Sequence, residues 1–455
     1  MPDSFDIVVI GGGPGGYTAA VRCAQKGASV AIVEKELIGG ICLNYGCIPL
    51  KALLASAHTL LLAKHAEAMG VDITSAVPNW PKIQARKDAI VAGFSKGLTG
   101  LVQNHKVKML KGRAVVTAPK KIKIETDASP IEIKADKIII ATGSVPIQIP
   151  AIPLDGQTII SSKEALSLQQ IPKSMIIIGG GAIGCELACV YAAAGTKATI
   201  VEALSRLIPT EDQWVGRLLA RELEKLGIEV LTGQKVVSAD KTGGLAKVVL
   251  ENGRTIEVEK VLVSVGRKAV CDRETIKGLG LKMNGPAIAV NERMETNVSW
   301  VYAIGDAAGT TYVAHGAFAE AEVAAENATG GKAKMGDYSL IPRVVYTFPE
   351  IASIGKNEDA CKKDGLADAA VGRAFFKTNG KGVGYNETAG EIRVLRDKTS
   401  GKIIGVTMVG PSVTELVTAA EALIGSTKKP TDVICPHSTF SEVLKEAWED
   451  AFLPK

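Results

Sequence analysis

Residues 5–34 read FDIVVIGGGPGGYTAAVRCAQKGASVAIVE, and residues 173–202 read KSMIIIGGGAIGCELACVYAAAGTKATIVE. Each stretch is an apolar run of strand length, a glycine turn, a helix-period segment of small residues, a further glycine, and a second apolar run closing on glutamate. Gly11 corresponds to Gly179, Gly16 to Gly184 and Glu34 to Glu202, each by the same displacement of 168 positions. Copies this far apart do not stack as a solenoid. They define two separate doubly wound domains, each opening on a βαβ unit.

The glycines carry a ligand chemistry. In Gly11–x–Gly13–x–x–Gly16 the first glycine permits a tight turn, the second lets backbone approach a pyrophosphate, and the third lets helix and strand pack closely. The phosphate then meets the unpaired N–H groups at the helix N-terminus. Glu34, at the end of the second strand, is placed to accept from a ribose diol. Gly179, Gly181, Gly184 and Glu202 meet the same conditions. An acid at this strand end suits a free 2′-hydroxyl and repels a 2′-phosphate, so the second site reads as NAD rather than NADP. Two nucleotide sites on one chain imply electrons passing between two cofactors.

Around this frame, 455 residues are enough for two to four domains. A net charge of +5, spread along the chain, is too diffuse for a nucleic-acid or membrane surface. No secretory signal precedes the first apolar run, and no uninterrupted apolar run of about eighteen residues predicts a spanning helix. Eight cysteines in a chain of this length are not a secreted disulfide scaffold, so the expected setting is cytoplasmic, with any paired cysteines catalytic. From about residue 48 to 105 the pattern is helical, and from 108 to 140 it is strand-rich, ending in DKIIIATGS. From about 339 a new composition begins: strands near 344–348, 391–395 and 402–409, then helices over 414–424 and 441–451.

Cys42 and Cys47 lie in GGICLNYGCIPLK. Helical residues five apart have Cα atoms about 8–9 Å apart, beyond a disulfide's usual reach of about 7 Å. A bond between them therefore requires a distorted turn, which Gly46 permits, and a strained bond is a reducible one. Two buried apolar cysteines, or half a metal site, are the other readings; no His or carboxylate in the segment completes a metal set. Near the C-terminus, CPHSTFSE offers His437 as an acid–base group for a thiol or as a surface histidine. Glu442 reads either as its orienting carboxylate or as the acid of a Thr439–Glu442 capping box.

Taken together, FDIVVIGGGPGGYTAA, ATGS, GGGAIGCE, SVGR, YAIGDA and HSTFSE make the chain resemble the two-cysteine flavoprotein disulfide reductases, the class I pyridine nucleotide-disulfide oxidoreductases, over essentially its whole length. Its pattern is most similar to the branch that oxidises dihydrolipoamide. The resemblance implies an α/β architecture of two Rossmann-like nucleotide-binding domains plus a C-terminal α+β dimerisation domain. Residues 1–147 would bind FAD, 148–272 would bind NAD, 273–338 would complete the FAD domain, and 339–455 would form the dimer interface. FAD would lie on Gly11, Gly13, Gly16 and Glu34, with Lys51, Ala114, Thr142, Gly143, Ser144, Asp306, Ala314 and His315 near it. NAD would lie on Gly179, Gly181, Gly184, Glu186 and Glu202, with Val236 and Gly266 contributing. Lys51 would pair with Glu186, and His437 with Glu442 would serve the Cys42–Cys47 disulfide of the other subunit of a homodimer. The partner implied is a lipoyl-bearing protein of a 2-oxoacid dehydrogenase or glycine cleavage complex; the alternatives are reduction of another disulfide, or a non-catalytic docking subunit. Tyr45, Leu50, Phe348 and Cys435 depart from the family pattern around the thiol pocket.

Overall fold

In the computed structural model, residues 3–366 and 369–453 are described. They form two compact units. The first takes in the chain up to Ala52, Ala85–Ile147 and Gly266–Gly336; the second takes in Leu53–Gln84, Gln148–Val265 and the chain from Asp337 onward. Residues 53–84 therefore group with the second unit, as do both the second nucleotide fold and the C-terminal sheet.

In the first unit a seven-stranded sheet runs Lys108–Lys111, Val30–Glu34, Ser4–Ile10, Ile131–Ile140, Lys121–Glu125, Arg113–Ala118, with Val301–Ala303 also paired to Ile131–Ile140. Ser4–Ile10 is parallel to both neighbours. Its residues from Ile7 to Ile10 are buried on both faces, which is why they read as a continuous apolar run rather than an alternating one. The helix Pro14–Gln25 packs on Ala314–Ala328 through Ala19, Ala20, Ala321 and Ala324, small residues that let two helix backbones approach.

The second unit repeats the design. Its parallel sheet runs Glu229–Thr232, Lys197–Glu202, Ser174–Ile178, Lys260–Val263, Ile159–Ile160. The copies agree in register as well as in sequence: Ile7 faces Val30 and Ile10 faces Val33 in one, Met175 faces Ala198 and Ile178 faces Val201 in the other. A separate five-stranded antiparallel sheet runs Arg343–Val345, Glu350–Gly355, Ile403–Gly410, Glu391–Arg396, Ala370–Phe375. Helices Val413–Glu421 and Ser441–Asp450 close its core with Trp448 and Phe376. The strand Ala370–Phe375 escapes sequence reading because Gly372 interrupts its pattern. A Cβ there would stand 1.9 Å from the Ala447 carbonyl oxygen of the crossing helix.

By length and composition Gly40–Lys64 would reach across a bilayer. It is not an uninterrupted apolar run, because Asn44 and Lys51 lie within it and Gly46 divides it into the helices Gly40–Tyr45 and Cys47–Lys64.

Candidate active site

Both glycine turns have the geometry of a nucleotide cradle. Gly11 (φ +105°) and Gly179 (φ +108°) occupy left-handed backbone, and an added Cβ would lie 2.3 Å from the Ala141 oxygen and 2.5 Å from the Ser264 oxygen. At Gly16 and Gly184 a Cβ would lie 1.9 and 2.2 Å from the carbonyl oxygens of Gly11 and Gly179. Gly13 and Gly181 face open space. Each is the N-cap of its helix, Pro14–Gln25 or Ala182–Ala193, with no side-chain cap and no acid in the first turn, which leaves the end for an anion. Glu34 accepts from the Gly12 and Glu36 N–H groups at 2.7 Å each, and Glu202 from those of Gly180 and Leu204 at the same distances. Each carboxylate is thus fixed at its strand end with lone pairs left for a diol. FAD and NAD fit these residues. Gly16→Ala is expected to cost about 1–3 kcal/mol, because the clash is with backbone and cannot be relieved by a rotamer change. Thermal melting checks this, and an unshifted transition would contradict it.

The other residues expected at the flavin lie in the first unit. Ala114 is buried on Arg113–Ala118. The Thr142 hydroxyl donates to the Val270 carbonyl, and Gly143 (φ +73°) accepts from Val270 N–H at 3.0 Å. Ser144 Oγ donates to Asp306 Oδ2 and accepts from Arg267 Nε at 2.8 Å. Ala314 and His315 open the helix Ala314–Ala328, preceded by Tyr312 in left-handed backbone (φ +56°). Two residues of this neighbourhood are not singled out by the sequence. Arg267 is one. The other is Glu320, wholly buried, which accepts from Gly305 N–H at 2.6 Å and from the Thr310 hydroxyl; a lone acid on the alanine-rich face of a helix was its only signal. In the second unit Glu186 is buried and accepts from Tyr346 N–H at 3.0 Å. Val236 begins the strand Val236–Thr242, and Gly266 (φ +115°) leads into Arg267–Ala269 of the first unit.

The thiols meet at a helix break. Gly39 N–H donates to the Gly12 carbonyl at 2.7 Å, and a Cβ on Gly40 would lie 2.7 Å from the Gly13 Cα. The paired glycines therefore lay the start of Gly40–Tyr45 directly against the first cradle. Gly46 (φ −148°, ψ −109°) ends that helix, and Cys47 begins the next. The break turns Cys47 back so that its thiol hydrogen-bonds that of Cys42, and its N–H donates to the Cys42 sulfur. Both are free thiols in this structure. The Cys42 pKa is pushed far up, first by the Cys47 thiol and then by burial, with Lys51 opposing. The Tyr17 phenol has its pKa raised, first by burial and then by Cys42 and Cys47. Among the described residues no group of three or more His, Cys, Asp and Glu could hold a metal ion.

At the other end of the chain, His437 Nδ1 lies 3.0 Å from Glu442 Oε1, while Glu442 Oε2 accepts from Thr439 N–H at 2.8 Å. The two readings of Glu442 are thus joined, one oxygen to each. The reciprocal half of a capping box does not form: the Glu442 N–H donates to the Thr439 backbone carbonyl at 3.4 Å, and the Thr439 hydroxyl is turned to donate to the Pro436 carbonyl. Glu442 is held below its ordinary 4.5, first by Thr439 N–H and then by His437. The His437 side chain is 82% exposed, leaving the ring's far edge open to solvent. Cys435, half buried with its thiol pKa raised by burial, sits 3.7 Å from the Ser441 carbonyl.

With this geometry in place, comparison assigns the class. The pyridine nucleotide-disulphide oxidoreductase family matches residues 5–328, and its dimerisation domain matches residues 341–448. The chain is 38% identical over 449 residues to a dihydrolipoyl dehydrogenase of Bacillus subtilis, covering 97% of each chain. It is also 38% identical to the leghemoglobin reductase of Glycine max, covering 98% of this chain and 87% of that one. LpdA from Mycobacterium tuberculosis shares the fold, with a TM-score of 0.90 at 24% identity and 98% coverage of each. The chain belongs to the pyridine nucleotide-disulphide oxidoreductase family. It is an FAD-dependent enzyme, a flavoprotein disulfide reductase whose family works with FAD and NAD(H), and it carries that family's dimerisation domain.

Proposed function

We propose that the chain oxidises protein-bound dihydrolipoamide to lipoamide and reduces NAD+, working as a homodimer in which a second copy supplies His437. The observation that carries this reading is the meeting of Cys42 and Cys47 across the Gly46 break, beside the first glycine cradle. Relatives named dihydrolipoyl dehydrogenase support the dithiol substrate. The exposure of His437 supports its service to another chain. NAD over NADP is supported by Glu202 and by Arg206, which is committed to Asp359 at 3.1 Å and to the Pro209 carbonyl at 3.2 Å rather than free for a 2′-phosphate.

In this reading the resting enzyme holds a Cys42–Cys47 disulfide. His437, oriented by Glu442, takes a proton from one substrate thiol. The resulting thiolate attacks the Cys42 sulfur, a mixed disulfide forms, and Cys47 leaves as a thiolate. The second substrate thiol attacks the mixed disulfide at the substrate's own sulfur. The cyclic disulfide departs, and Cys42 regains a proton. Asp306 would hold FAD on its ribityl or pyrophosphate side, and the bound flavin would supply two-electron passage between the cysteine pair and NAD(H). Net, a dithiol and NAD+ become a disulfide, NADH and a proton.

A relative named leghemoglobin reductase keeps a second reading in view, reduction of a different acceptor by the same pair. Steady-state rates with NADH against NADPH, and with lipoamide against glutathione disulfide, separate the readings. Lipoamide with NADH is expected to be the faster pair, with NADH preferred at least about tenfold in kcat/KM. Faster turnover of glutathione disulfide with NADPH would overturn the proposal.

A further inference from the structure

Ser144, Arg267 and Asp306 come from three distant stretches and join in one chain of hydrogen bonds. Arg267 Nε donates to Ser144 Oγ at 2.8 Å, and an Arg267 terminal nitrogen donates to the Ser144 carbonyl at 2.8 Å. A guanidinium has donors only, so Ser144 Oγ must be the acceptor in the first bond. A hydroxyl has a single proton, and with Arg267 occupying a lone pair that proton is directed to Asp306 Oδ2. Arg267 Nε also stands 4.0 Å from Asp306 Oδ2, so the guanidinium lies beside the carboxylate as well as on the serine. The other oxygen, Asp306 Oδ1, takes no hydrogen bond among the described residues, and the side chain is 24% exposed.

We propose that Arg267 is a positioning residue: acting through the Ser144 hydroxyl, it fixes the Asp306 carboxylate so that Oδ1 is presented to a hydroxyl-bearing segment of the flavin. The inference rests on the reading that Asp306 faces FAD. Arg267 is itself largely enclosed. Burial draws its pKa down while the charges of Asp306 and Cys47 draw it up. The fork geometry matters more than the charge, because the two bonds come from two different nitrogens of one plane, Nε and a terminal one, and a lysine has a single nitrogen at the end of its stem. A lysine could keep the charge but not both bonds.

The test is FAD affinity of apoprotein, followed by flavin fluorescence, for the wild type, Arg267→Met, Arg267→Lys, Ser144→Ala and the double variant Arg267→Met/Ser144→Ala, with apoprotein melting followed alongside. Each single change is expected to weaken FAD binding about tenfold. The double variant should be within about twofold of the weaker single, because both changes break one relay. Arg267→Lys should behave like Arg267→Met. Losses that multiply in the double variant, or wild-type affinity in Arg267→Lys, would overturn the relay. A wild-type apoprotein that does not take up FAD would instead sink the placement of FAD at Asp306.

Discussion

Replacing Cys47 with serine is expected to lower dihydrolipoamide-dependent NAD+ reduction by at least about a thousandfold while leaving the flavin bound. The size of the effect follows from the chemistry of the pair. Serine has nearly the volume of cysteine, so the helix break at Gly46 and the cradle behind it persist. What is lost is the sulfur that leaves as a thiolate and carries the electron pair away from the substrate. The sulfur that hydrogen-bonds Cys42 is that of Cys47, and a serine oxygen in its place cannot form the disulfide. Thermal melting and bound-flavin absorbance separate this outcome from unfolding. A variant that turns over within tenfold of wild type would show that the electrons take another route.

The second large effect belongs to His437. At neutral pH a substrate thiol of ordinary pKa is ionised only in part. A base is therefore required. His437→Ala is expected to cost about a hundredfold to ten-thousandfold in kcat. Glu442→Gln should cost less, because an amide oxygen can still accept from Nδ1. The pH dependence has a definite sign. Glu442 has its pKa depressed, so its hold on His437 is in place above its ordinary 4.5 and is lost as the pH falls through the lower folded value. Acid inactivation through this contact belongs below the ordinary carboxylate range. Because the base is proposed to come from a second copy, co-expressing Cys47→Ser and His437→Ala chains should restore about a quarter of wild-type activity: half the dimers are mixed, and each has one intact site. No recovery would place the base in the same chain.

These expectations draw unequally on sequence and structure. The glycine turns were legible because each requirement is met only by glycine: left-handed backbone at Gly11, a carbonyl within 1.9 Å of the absent Cβ at Gly16. The cysteine pair was legible through its spacing and Gly46, since a helix could not otherwise bring five-apart thiols together. His437 and Glu442 could be paired by proximity, but the two roles of Glu442 were not separable until each oxygen had its own partner. The relay of Ser144, Arg267 and Asp306 was not legible. Its members lie at three turns far apart in sequence, and only parallel pairing of Ile131–Ile140 with Val301–Ala303 and the Ser144–Pro146 pairing with Arg267–Ala269 bring them together. The grouping of residues 53–84 with the second unit was hidden for a similar reason, because the helix Cys47–Lys64 runs through the boundary without a break in its pattern.

The claim on which the rest depends is that Cys42 and Cys47 cycle between disulfide and dithiol. Differential alkylation with mass readout tests it directly. Protein purified in air should leave both residues unlabelled. Anaerobic addition of NADH, or of dihydrolipoamide without NAD+, should then add two labels per chain, both within residues 42–47. Identical labelling before and after reductant would contradict the account.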